Sequence, residues 1–537
     1  MTRDVHKTIG RSWVIPRRLC VTSLVICFFV ILSIAPAQTA IHRWTGDKGG
    51  LGYPVELAGD VNSDGFPDLI VGAPGADNNF VDSGNVKIYS GKDGSVIYSL
   101  DGTSAGLHFG LSASGAGDVD KDGVPDFLVG TTFSKNIGSV WLYSGKDASL
   151  IKMLDGSNLG DGFGNDVAGA GDINADGFDD FLIGIPFSDN VGLESGSALA
   201  VSGKDCSKLY FFNGDSSDDY FGLAVAGLGD LNADGFDEFL IGAFQDDVNG
   251  SSSGSAKVYS GADGSVLYWK TGDGPGDIFG TNLDGAGDVN ADGVPDFIVG
   301  APESLDDCSR GYGYARVFSG KNGAELYTFR GAGNNDLLGA AVSGAGDVNQ
   351  DGFDDVIVGA QEPYGDWCPE GYGYADLYSG RTGNLLYRFA GPNEGSYLGT
   401  ALSEAGDVNS DGLDDFLVGC PGEIIDPKNQ YYGSAMVYSG NDLFLNAWPK
   451  RAAVGETVTL TTADGEPGTL VAMFIVAVNG TAVTYLQDVG VFGLDRRFVV
   501  SGVVPPGTGG IEVEAQSFSL APAGQVIDTA REVVTIQ

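Results

Sequence analysis

Short apolar runs alternate with glycine-rich polar turns along most of the chain, from about residue 50 to residue 440. The runs are rich in Val, Ile, Leu, Phe and Tyr, as in residues 69–71, 84–91 and 95–98. Runs of this composition between turn residues are typical of β-strands, and the apolar residues of this region show no helical spacing. The pattern therefore predicts an all-β fold with four short strands in each recurring unit, the first of which opens on a Phe-Gly or Leu-Gly pair.

The unit recurs seven times, and every copy contains one acidic turn of the form Asp-x-Asn/Asp-x-Asp-Gly-x-x-Asp/Glu. Successive turns begin 54 to 60 residues apart. They begin at Asp60, Asp118, Asp172, Asp230, Asp288, Asp347 and Asp407. A fixed period of this size is typical of repeat proteins, in which each unit buries its apolar faces against its neighbours. Four strands in each of seven units predict a seven-bladed β-propeller.

The two ends of the repeat region indicate how the ring closes. The seventh unit ends at residues 438–440 without a fourth strand, whereas residues 41–46 resemble an unpaired fourth strand that precedes the first unit. We expect this N-terminal segment to pair into the seventh blade, because closure removes the open sheet edge. The predicted propeller domain comprises residues 41–446.

Residues 447–537 differ from the repeats, because the acidic turns stop and Thr/Val-rich runs take over. Pro-Gly turns separate these runs, as at residues 465–468 and 505–507. The composition predicts a small β-sandwich-like C-terminal domain. Two roles remain open for it, namely attachment of the propeller to another surface and capping of the propeller.

The acidic turn has the chemistry of a cation site. In the first copy, Asp60, Asn62, Asp64 and Asp68 place side-chain oxygens at positions 1, 3, 5 and 9. Gly65 at position 6 permits a sharp turn, and the backbone carbonyl at position 7 can supply a further oxygen. Six to eight oxygen ligands suit calcium, whereas the lack of nitrogen and sulfur ligands argues against zinc and copper.

The seven turns therefore predict up to seven bound calcium ions, with position 7 contributing its backbone carbonyl. The predicted ligands are Asp60, Asn62, Asp64, Phe66, Asp68, Asp118, Asp120, Asp122, Val124, Asp126, Asp172, Asn174, Asp176, Phe178, Asp180, Asp230, Asn232, Asp234, Phe236, Glu238, Asp288, Asn290, Asp292, Val294, Asp296, Asp347, Asn349, Asp351, Phe353, Asp355, Asp407, Asn409, Asp411, Leu413 and Asp415. Asp120 makes the second loop the most anionic, and the longer Glu238 makes the fourth loop different.

The turn has two other interpretations. Asp, Asn and Gly favour hairpin turns without any metal, but seven copies with the same four oxygen positions favour metal binding. An EF-hand or a dockerin repeat requires a carboxylate at position 12. That position instead holds Val71, Val129, Ile183, Ile241, Val299, Val358 and Val418.

The chain is strongly acidic, with a formal net charge of −43 at pH 7. This charge excludes a nucleic-acid-binding protein that works through phosphate contacts. Of the 72 acidic residues, 22 occupy the side-chain ligand positions of the seven turns. A large share of the acidic residues is therefore accounted for by predicted calcium ligands.

The N-terminus has the organisation of a secretion signal. A basic stretch that ends at Arg18 precedes an apolar segment of residues 19–34. Small residues follow, so we predict a signal peptide of residues 1–37, with cleavage after Ala37 or after Ala40. The mature chain is then secreted or held at the cell surface without a membrane span. The alternative is an uncleaved anchor, since the apolar segment approaches the length of a membrane span.

Six cysteines are present, two of which, Cys20 and Cys27, fall within the signal segment. The others are Cys206, Cys308, Cys368 and Cys420. Four cysteines in an exported chain allow three disulfide pairings. Cys308 and Cys368 occupy matching loops of consecutive repeats and are a candidate pair, with free thiols as the alternative.

The repeat resembles the FG-GAP repeats of integrin α-subunit propellers and of bacterial secreted proteins. The resemblance is carried by Phe-Gly pairs such as Phe109-Gly110, the acidic turn, and Gly-Ala-Pro elements such as residues 72–74, in fixed order over about 400 of 537 residues. It implies calcium bound in the hairpin between the first and second strands. Three repeats lack the proline, and leg domains of the integrin kind are not found, so an integrin as such is not implied.

The loops on the face opposite the acidic turns are aromatic in the last three repeats. Candidate ligand-binding residues are Tyr364, Trp367, Tyr372 and Tyr431. Aromatic side chains on loops suit sugar faces and protein contacts. Tyrosines beside glycine, such as Tyr312 and Tyr314, can instead pack the junction between blades.

We therefore expect an adhesion or recognition module for an extracellular protein or polysaccharide, with the oligomeric state left open. The three histidines, His6, His42 and His108, lie outside any loop that offers a nucleophile, so no enzyme is expected. The alternatives are an enzyme acting on polysaccharide or lipid and a structural component of an envelope or matrix.

Overall fold

The computed structural model describes most of the repeat region and part of the C-terminal region. The described residues are 40–46, 49–131, 137–303, 312–333, 336–361, 372–426, 430–440, 457–463, 477–478, 481–482, 497–503, 511–520 and 526–536. Their regular elements are β-strands throughout. Over these ranges no helix reaches the length and apolarity needed to cross a membrane. The predicted signal peptide lies outside the described residues.

Seven four-stranded antiparallel sheets form the blades of a β-propeller, as the sequence predicts. Strand β1 (His42–Thr45) precedes the first blade. Blade 1 comprises β2 (Val55–Gly59), β3 (Asp68–Ala73), β4 (Asn85–Tyr89) and β5 (Val96–Asp101); blade 2 comprises β6 (Ser112–Gly117), β7 (Asp126–Thr131), β8 (Ser139–Tyr143) and β9 (Leu150–Asp155). Blade 3 comprises β10 (Val167–Gly171), β11 (Asp180–Ile185), β12 (Ser197–Val201) and β13 (Lys208–Asn213); blade 4 comprises β14 (Val225–Gly229), β15 (Glu238–Ala243), β16 (Ser255–Tyr259) and β17 (Val266–Thr271).

The remaining blades repeat this order. Blade 5 comprises β18 (Leu283–Gly287), β19 (Asp296–Ala301), β20 (Tyr314–Phe318) and β21 (Glu325–Arg330); blade 6 comprises β22 (Leu338–Gly346), β23 (Asp355–Ala360), β24 (Tyr374–Tyr378) and β25 (Leu385–Ala390). Blade 7 comprises β26 (Leu402–Gly406), β27 (Asp415–Cys420), β30 (Ser434–Ser439) and the N-terminal β1. A small hairpin, β28 (Ile424–Asp426) and β29 (Gln430–Tyr431), lies between β27 and β30.

The core is divided into seven apolar clusters, each shared by two adjacent blades. The second strand of every blade is buried along its whole length, as in β3 and β7. The first strands contact one another around the ring, and β26 contacts β2. Each unit therefore buries its apolar faces against its two neighbours, which is how a propeller is held together.

The N-terminal strand closes the ring in the position that the sequence predicts. Strand β1 pairs antiparallel with β30, with His42 opposite Val437 and Thr45 opposite Ser434. Trp44 is buried in the cluster between blades 7 and 1. The segment therefore supplies the outermost strand of blade 7 while its indole packs against blade 1.

The Phe-Gly pairs lie mostly outside the first strands, contrary to the expectation that these strands open on them. In blade 2, β6 begins at Ser112, and Phe109 forms an isolated bridge with Gly84 of blade 1. Left-handed residues flank Phe109, with φ values of +51° at His108 and +86° at Gly110, but the same geometry around Leu338 does not exclude it from a strand. In blade 6 the strand does begin at the equivalent Leu338.

The C-terminal region contains two further antiparallel sheets. Their strands are β31 (Thr457–Ala463), β32 (Ala477–Val478), β33 (Thr481–Ala482), β34 (Arg497–Val503), β35 (Ile511–Leu520) and β36 (Val526–Ile536). Strand β31 pairs with β34, and the other four strands form one sheet in the order β33-β32-β35-β36. The predicted boundary at residues 446 and 447 lies outside the described residues.

Candidate metal centres at the blade hairpins

Every acidic turn joins the first strand of a blade to the second. We number these turns loop 1 to loop 7, by blade. In loop 1, Gly59 ends β2 and Asp68 begins β3, and the same arrangement recurs in all seven blades. Because the strands of a blade run up and down, the seven loops lie on one face of the propeller. The loop begins as an EF-hand does but leaves into a strand instead of a helix.

The backbone of each loop is bent at two positions. Gly65, at position 6, has a φ of +89°, and an added Cβ atom would meet nothing within 4 Å. Glycine is therefore needed there for its conformation rather than for space. Position 4 is also left-handed, with a φ of +56° at Ser63 and +60° at Lys121. The sequence pattern gave no indication of this second bend, because position 4 is occupied by Ser, Lys, Ala and Gln.

Backbone N–H groups hold the carboxylates at positions 1 and 5. The Asp60 carboxylate accepts from the Asp64 N–H at 3.0 Å and from the Gly65 N–H at 2.9 Å. Asp64 Oδ1 accepts from the Phe66 N–H at 3.1 Å. The position-1 bonds recur in the other loops. An ionised carboxylate has about four lone-pair sites, so these bonds leave capacity for a cation.

The position-9 carboxylates are the most deeply buried ligand candidates. All seven side chains are 0% exposed: Asp68, Asp126, Asp180, Glu238, Asp296, Asp355 and Asp415. Burial raises the pKa of Asp68 to about 6, although backbone N–H donors oppose the shift. Burial likewise raises the pKa of Asp355 and of Asp415 to about 8.

The acidic neighbours in each loop raise these pKa values further, as Asp64 and Asp60 do for Asp68. Within the described residues, none of the seven position-9 carboxylates forms an ion pair with a lysine or an arginine. A buried carboxylate without a counter-charge is costly. A bound cation would remove that cost, so the residues present fit calcium.

Position 3 distinguishes loop 2 from the others. In the other six loops the asparagine Nδ2 donates to the position-9 carboxylate, as from Asn62 to Asp68 at 3.2 Å. Its oxygen becomes a ligand when the amide rotates by half a turn about χ2. In loop 2, carboxylate oxygens of Asp118, Asp120 and Asp126 lie within 4.8 Å of one another.

Loop 6 contains a buried acceptor that has no hydrogen-bond partner. Asp351 Oδ1, at position 5, is inaccessible to solvent and receives no donor. Buried polar atoms without a partner are rare in native proteins. A cation at the centre of the loop would supply the missing interaction.

Lysines from the turn between the third and fourth strands approach the loops, and sequence reasoning missed them. Lys92 lies 3.9 Å from Asp64, Lys146 lies 3.2 Å from Asp122, and Lys204 lies 3.5 Å from Asp176. Their side chains are about half exposed, so the pairs stabilise the fold little. The signal was present in the Ser-Gly-Lys sequence of blades 1, 2, 3 and 5, which is Ser-Gly-Ala in blade 4, Ser-Gly-Arg in blade 6 and Ser-Gly-Asn in blade 7.

Position 8 also has a role that the sequence pattern did not reveal. In four loops it is an aspartate whose Oδ2 accepts the position-1 N–H of the preceding loop. The bonds are Asp118 N–H to Asp179 at 2.9 Å, Asp172 N–H to Asp237 at 2.7 Å, Asp288 N–H to Asp354 at 2.6 Å and Asp347 N–H to Asp414 at 2.9 Å. These aspartates join neighbouring blades.

The opposite face carries the loops in which ligand-binding residues were predicted. Tyr364 and Trp367 lie outside the described residues, and for Tyr431 only the backbone, in β29, is described. Tyr372 is 40% exposed and Tyr312 is 50% exposed. These two side chains are therefore available at the surface.

Tyr314 and Tyr374, in contrast, pack the blade junctions. Both are buried, and their hydroxyls donate to Asp277 at 2.8 Å and to Asp336 at 2.7 Å. Sequence reasoning also missed exposed apolar side chains in the loops of the first three blades. They are Phe80, Val81, Leu159, Val191 and Leu193.

The described histidines contact backbone carbonyls. His42 Nε2 lies 2.6 Å from the Gly91 oxygen, and His108 Nδ1 lies 3.2 Å from the Pro74 oxygen. Cys206 and Cys420 are free thiols. Cys308 and Cys368, the candidate disulfide pair, lie outside the described residues.

Comparison with known proteins identifies the repeat. Residues 56–89 and 109–143 match the FG-GAP repeat, and these segments contain loops 1 and 2. The chain is also 30% identical to mouse integrin α-8 over 228 residues, which is 39% of this chain and 21% of that protein. This chain is therefore a β-propeller that contains FG-GAP repeats and is similar to integrin α chains. The FG-GAP propeller is similarly 28% identical to Xenopus laevis integrin α-5 over 257 residues, or 44% of this chain and 24% of that protein.

A third relative, integrin α-V of Gallus gallus, is 32% identical over 230 residues, which is 40% of this chain and 21% of that protein. The FG-GAP propeller thus spans between a fifth and a quarter of the length of these curated relatives.

Proposed function

We propose that the FG-GAP propeller is a calcium-binding recognition module that binds an extracellular protein or polysaccharide through the face opposite its calcium loops. The observation that carries the calcium part is the buried position-9 carboxylate, which recurs in all seven blades at 0% exposure. A cation supplied to each loop neutralises that charge and the carboxylates at positions 1 and 5.

Calcium has a structural role in this proposal. Up to seven ions bind the oxygen ligands of loops 1 to 7 and remove the repulsion between like charges within each hairpin. Because each loop connects the first two strands of a blade, the ions fix the hairpins that form the centre of the propeller. The loops hold the blades while the opposite face remains free for a ligand.

The ligand face is formed by the loops between the second and third strands and by the connections between blades. Tyr312 and Tyr372 expose 50% and 40% of their surface there, and Phe80 exposes 50%. Exposed aromatic side chains suit sugar rings and protein contacts. The similarity to integrin α chains supports a recognition role, and the predicted signal peptide supports an extracellular one.

A binding screen of the mature chain tests the proposal. The chain from residue 41 is assayed against polysaccharides and extracellular proteins, in calcium and in EDTA. We expect a saturable, calcium-dependent ligand whose binding is weakened at least tenfold by Tyr372→Ala, on the scale of an interface hot spot. Trp269→Ala is the matched control, because Trp269 is 51% exposed but lies on the outer strand β17. Equal loss in both variants, or binding unaffected by EDTA, would contradict the proposal.

A further inference from the structure

One side chain connects the ligand sets of two neighbouring loops at four places in the ring. Asp179 lies between the position-7 and position-9 ligands of loop 3, yet its Oδ2 accepts the N–H of Asp118. Asp118 is the position-1 ligand of loop 2. Any change that immobilises the Asp179 side chain therefore also restrains the backbone of Asp118, a ligand in loop 2.

The contact is close and built into both blades. A Cβ atom placed on Gly117, the residue before Asp118, would lie 2.1 Å from Asp179 Oδ2, and Gly117 has a φ of +69°. Glycine is required at this position for both reasons. Loops 3 and 4 also share a second bond, because the Asp237 N–H donates to the Asp172 carbonyl at 3.3 Å.

Proline takes the place of the position-8 aspartate in three of the seven loops. Loops 1, 2 and 5 have Pro67, Pro125 and Pro295 at position 8. A proline side chain offers no hydrogen-bond acceptor. Pro125 instead packs near Gly59, where an added Cβ atom would lie 2.8 Å from its Cγ. The aspartate bonds therefore join loops 2, 3 and 4 into one group and loops 5, 6 and 7 into another, and they leave loop 1 outside both.

We propose that the position-8 aspartates are positioning residues that couple calcium binding within loops 2–4 and within loops 5–7. Loop 1 has no such bond and binds calcium independently of the other loops. This inference rests on the proposed function, because it requires that the loops bind calcium. Calcium in loop 3 fixes positions 7 and 9, and so fixes Asp179 between them. The fixed acceptor then orders Asp118, and loop 2 loses less conformational freedom when its own ion binds. The coupling is reciprocal by linkage.

Hydrogen exchange resolves the loops individually, so it measures this coupling directly. Amide protection is followed in peptides covering each loop of the full mature chain as free calcium is raised. In the wild type each loop should gain protection at its own calcium midpoint, which serves as the reference for the variants. Asp176→Asn weakens loop 3 alone and is expected to raise the midpoints of loops 2 and 4 about threefold to tenfold, the equivalent of one net hydrogen bond. The midpoint of loop 1 should not move.

Two variants at Asp179 separate the hydrogen bond from the charge. Asp179→Asn keeps an oxygen acceptor and removes the charge, whereas Asp179→Ala removes both. We expect the alanine variant to uncouple loop 2 from loop 3 and the asparagine variant to keep them coupled. If Asp179 has a purely structural role, Asp179→Ala should lower the melting temperature, and Asp176→Asn should still shift the midpoint of loop 2 in the Asp179→Ala background.

Unshifted midpoints of loops 2 and 4 in Asp176→Asn would overturn the coupling while the calcium sites stand. If no loop gains protection when calcium is added, the calcium proposal itself is overturned. If Asp176→Asn does not fold, Asp292→Asn in loop 5 tests the second group in the same way, with loops 6 and 7 expected to shift and loop 1 to stay.

Discussion

Trp44 donates its indole N–H to the carbonyl oxygen of Gly94 at 2.8 Å, and its ring stacks on Tyr89 with 4.4 Å between centroids. Both partners belong to blade 1, whereas the strand that carries Trp44 is hydrogen-bonded into blade 7. One side chain near the N-terminus therefore holds the first and last blades together. This contact completes the ring.

Trp44→Ala should destabilise the propeller by about 3–5 kcal/mol, the usual cost of truncating a buried aromatic side chain to alanine. Deletion of residues 41–46 should lower the melting temperature further, because it also removes a strand. Thermal melts in calcium measure both. Trp269→Ala, at an exposed site, is the control and should melt within a degree or two of the wild type. An unchanged melt after the deletion would show that the ring closes in another way.

The pH dependence of stability should differ with and without calcium. Burial raises the pKa of the position-9 carboxyls, to about 6 for Asp68 and about 8 for Asp415. Without calcium, the native state binds protons more tightly than the unfolded state, so its free energy of unfolding falls as pH rises from 5 to 8. Protons compete with calcium, so the stabilisation by calcium should grow over the same interval.

Melts in EDTA and in calcium between pH 5 and pH 8 measure this difference. Partly exposed Glu56 and Asp284 on the first strands also have raised pKa values, chiefly because of desolvation. They contribute in both buffers, so the difference between the two melts isolates the loops. A calcium-induced shift that is constant from pH 5 to pH 8 would contradict the prediction.

Asp355→Asn should have effects of opposite sign in the two buffers. Asp355 is buried, and burial raises its pKa to about 8. In EDTA at pH 8 the neutral amide removes an uncompensated buried charge and should raise the melting temperature. In saturating calcium the same change removes a ligand and should lower it. Asp205→Asn, in an exposed turn, is the matched control, and a shift of the same sign in both buffers would show that loop 6 binds no cation.

Tyr374→Phe should destabilise the protein by about 1.5–3 kcal/mol, because it removes a hydrogen bond to a carboxylate in a buried site. The hydroxyl donates to Asp336 at 2.7 Å. Tyr372→Phe, two residues earlier and 40% exposed, should change stability little. Urea unfolding of both variants measures the difference, and equal values would contradict the assignment of Tyr374 to the blade junction.

The sequence predicts the repeat-level features of this fold well. The spacing of the acidic turns predicted seven blades, and the missing strand after Tyr438 predicted that residues 41–46 pair into blade 7. These features depend on patterns that recur or are visibly incomplete. Contacts between different repeats are harder to predict, because a period gives no distance between Asp179 and Asp118.

Where the sequence does not predict the position of a single residue, the cause is physical. Phe109 reads as the start of a strand, but β6 begins at Ser112, and Phe109 instead forms a bridge with Gly84 of the preceding blade. Tyr312 and Tyr314 are both tyrosines beside Gly313, yet one is 50% exposed and the other 1% exposed. Tyr314 begins β20 and pairs with Ala301 of β19, whereas Tyr312 lies before the strand, beyond Gly313 with its φ of +66°.

The measurement that tests the calcium sites most directly is the number of calcium ions bound by the folded mature chain. Equilibrium dialysis at pH 7.5 against buffered free calcium, with the metal counted by mass spectrometry, gives that number alongside a thermal melt. We predict saturable binding of several ions per chain, up to seven, with a melting temperature that rises as they bind. A folded chain that binds no calcium, or whose melt is the same in calcium and EDTA, would contradict the assignment.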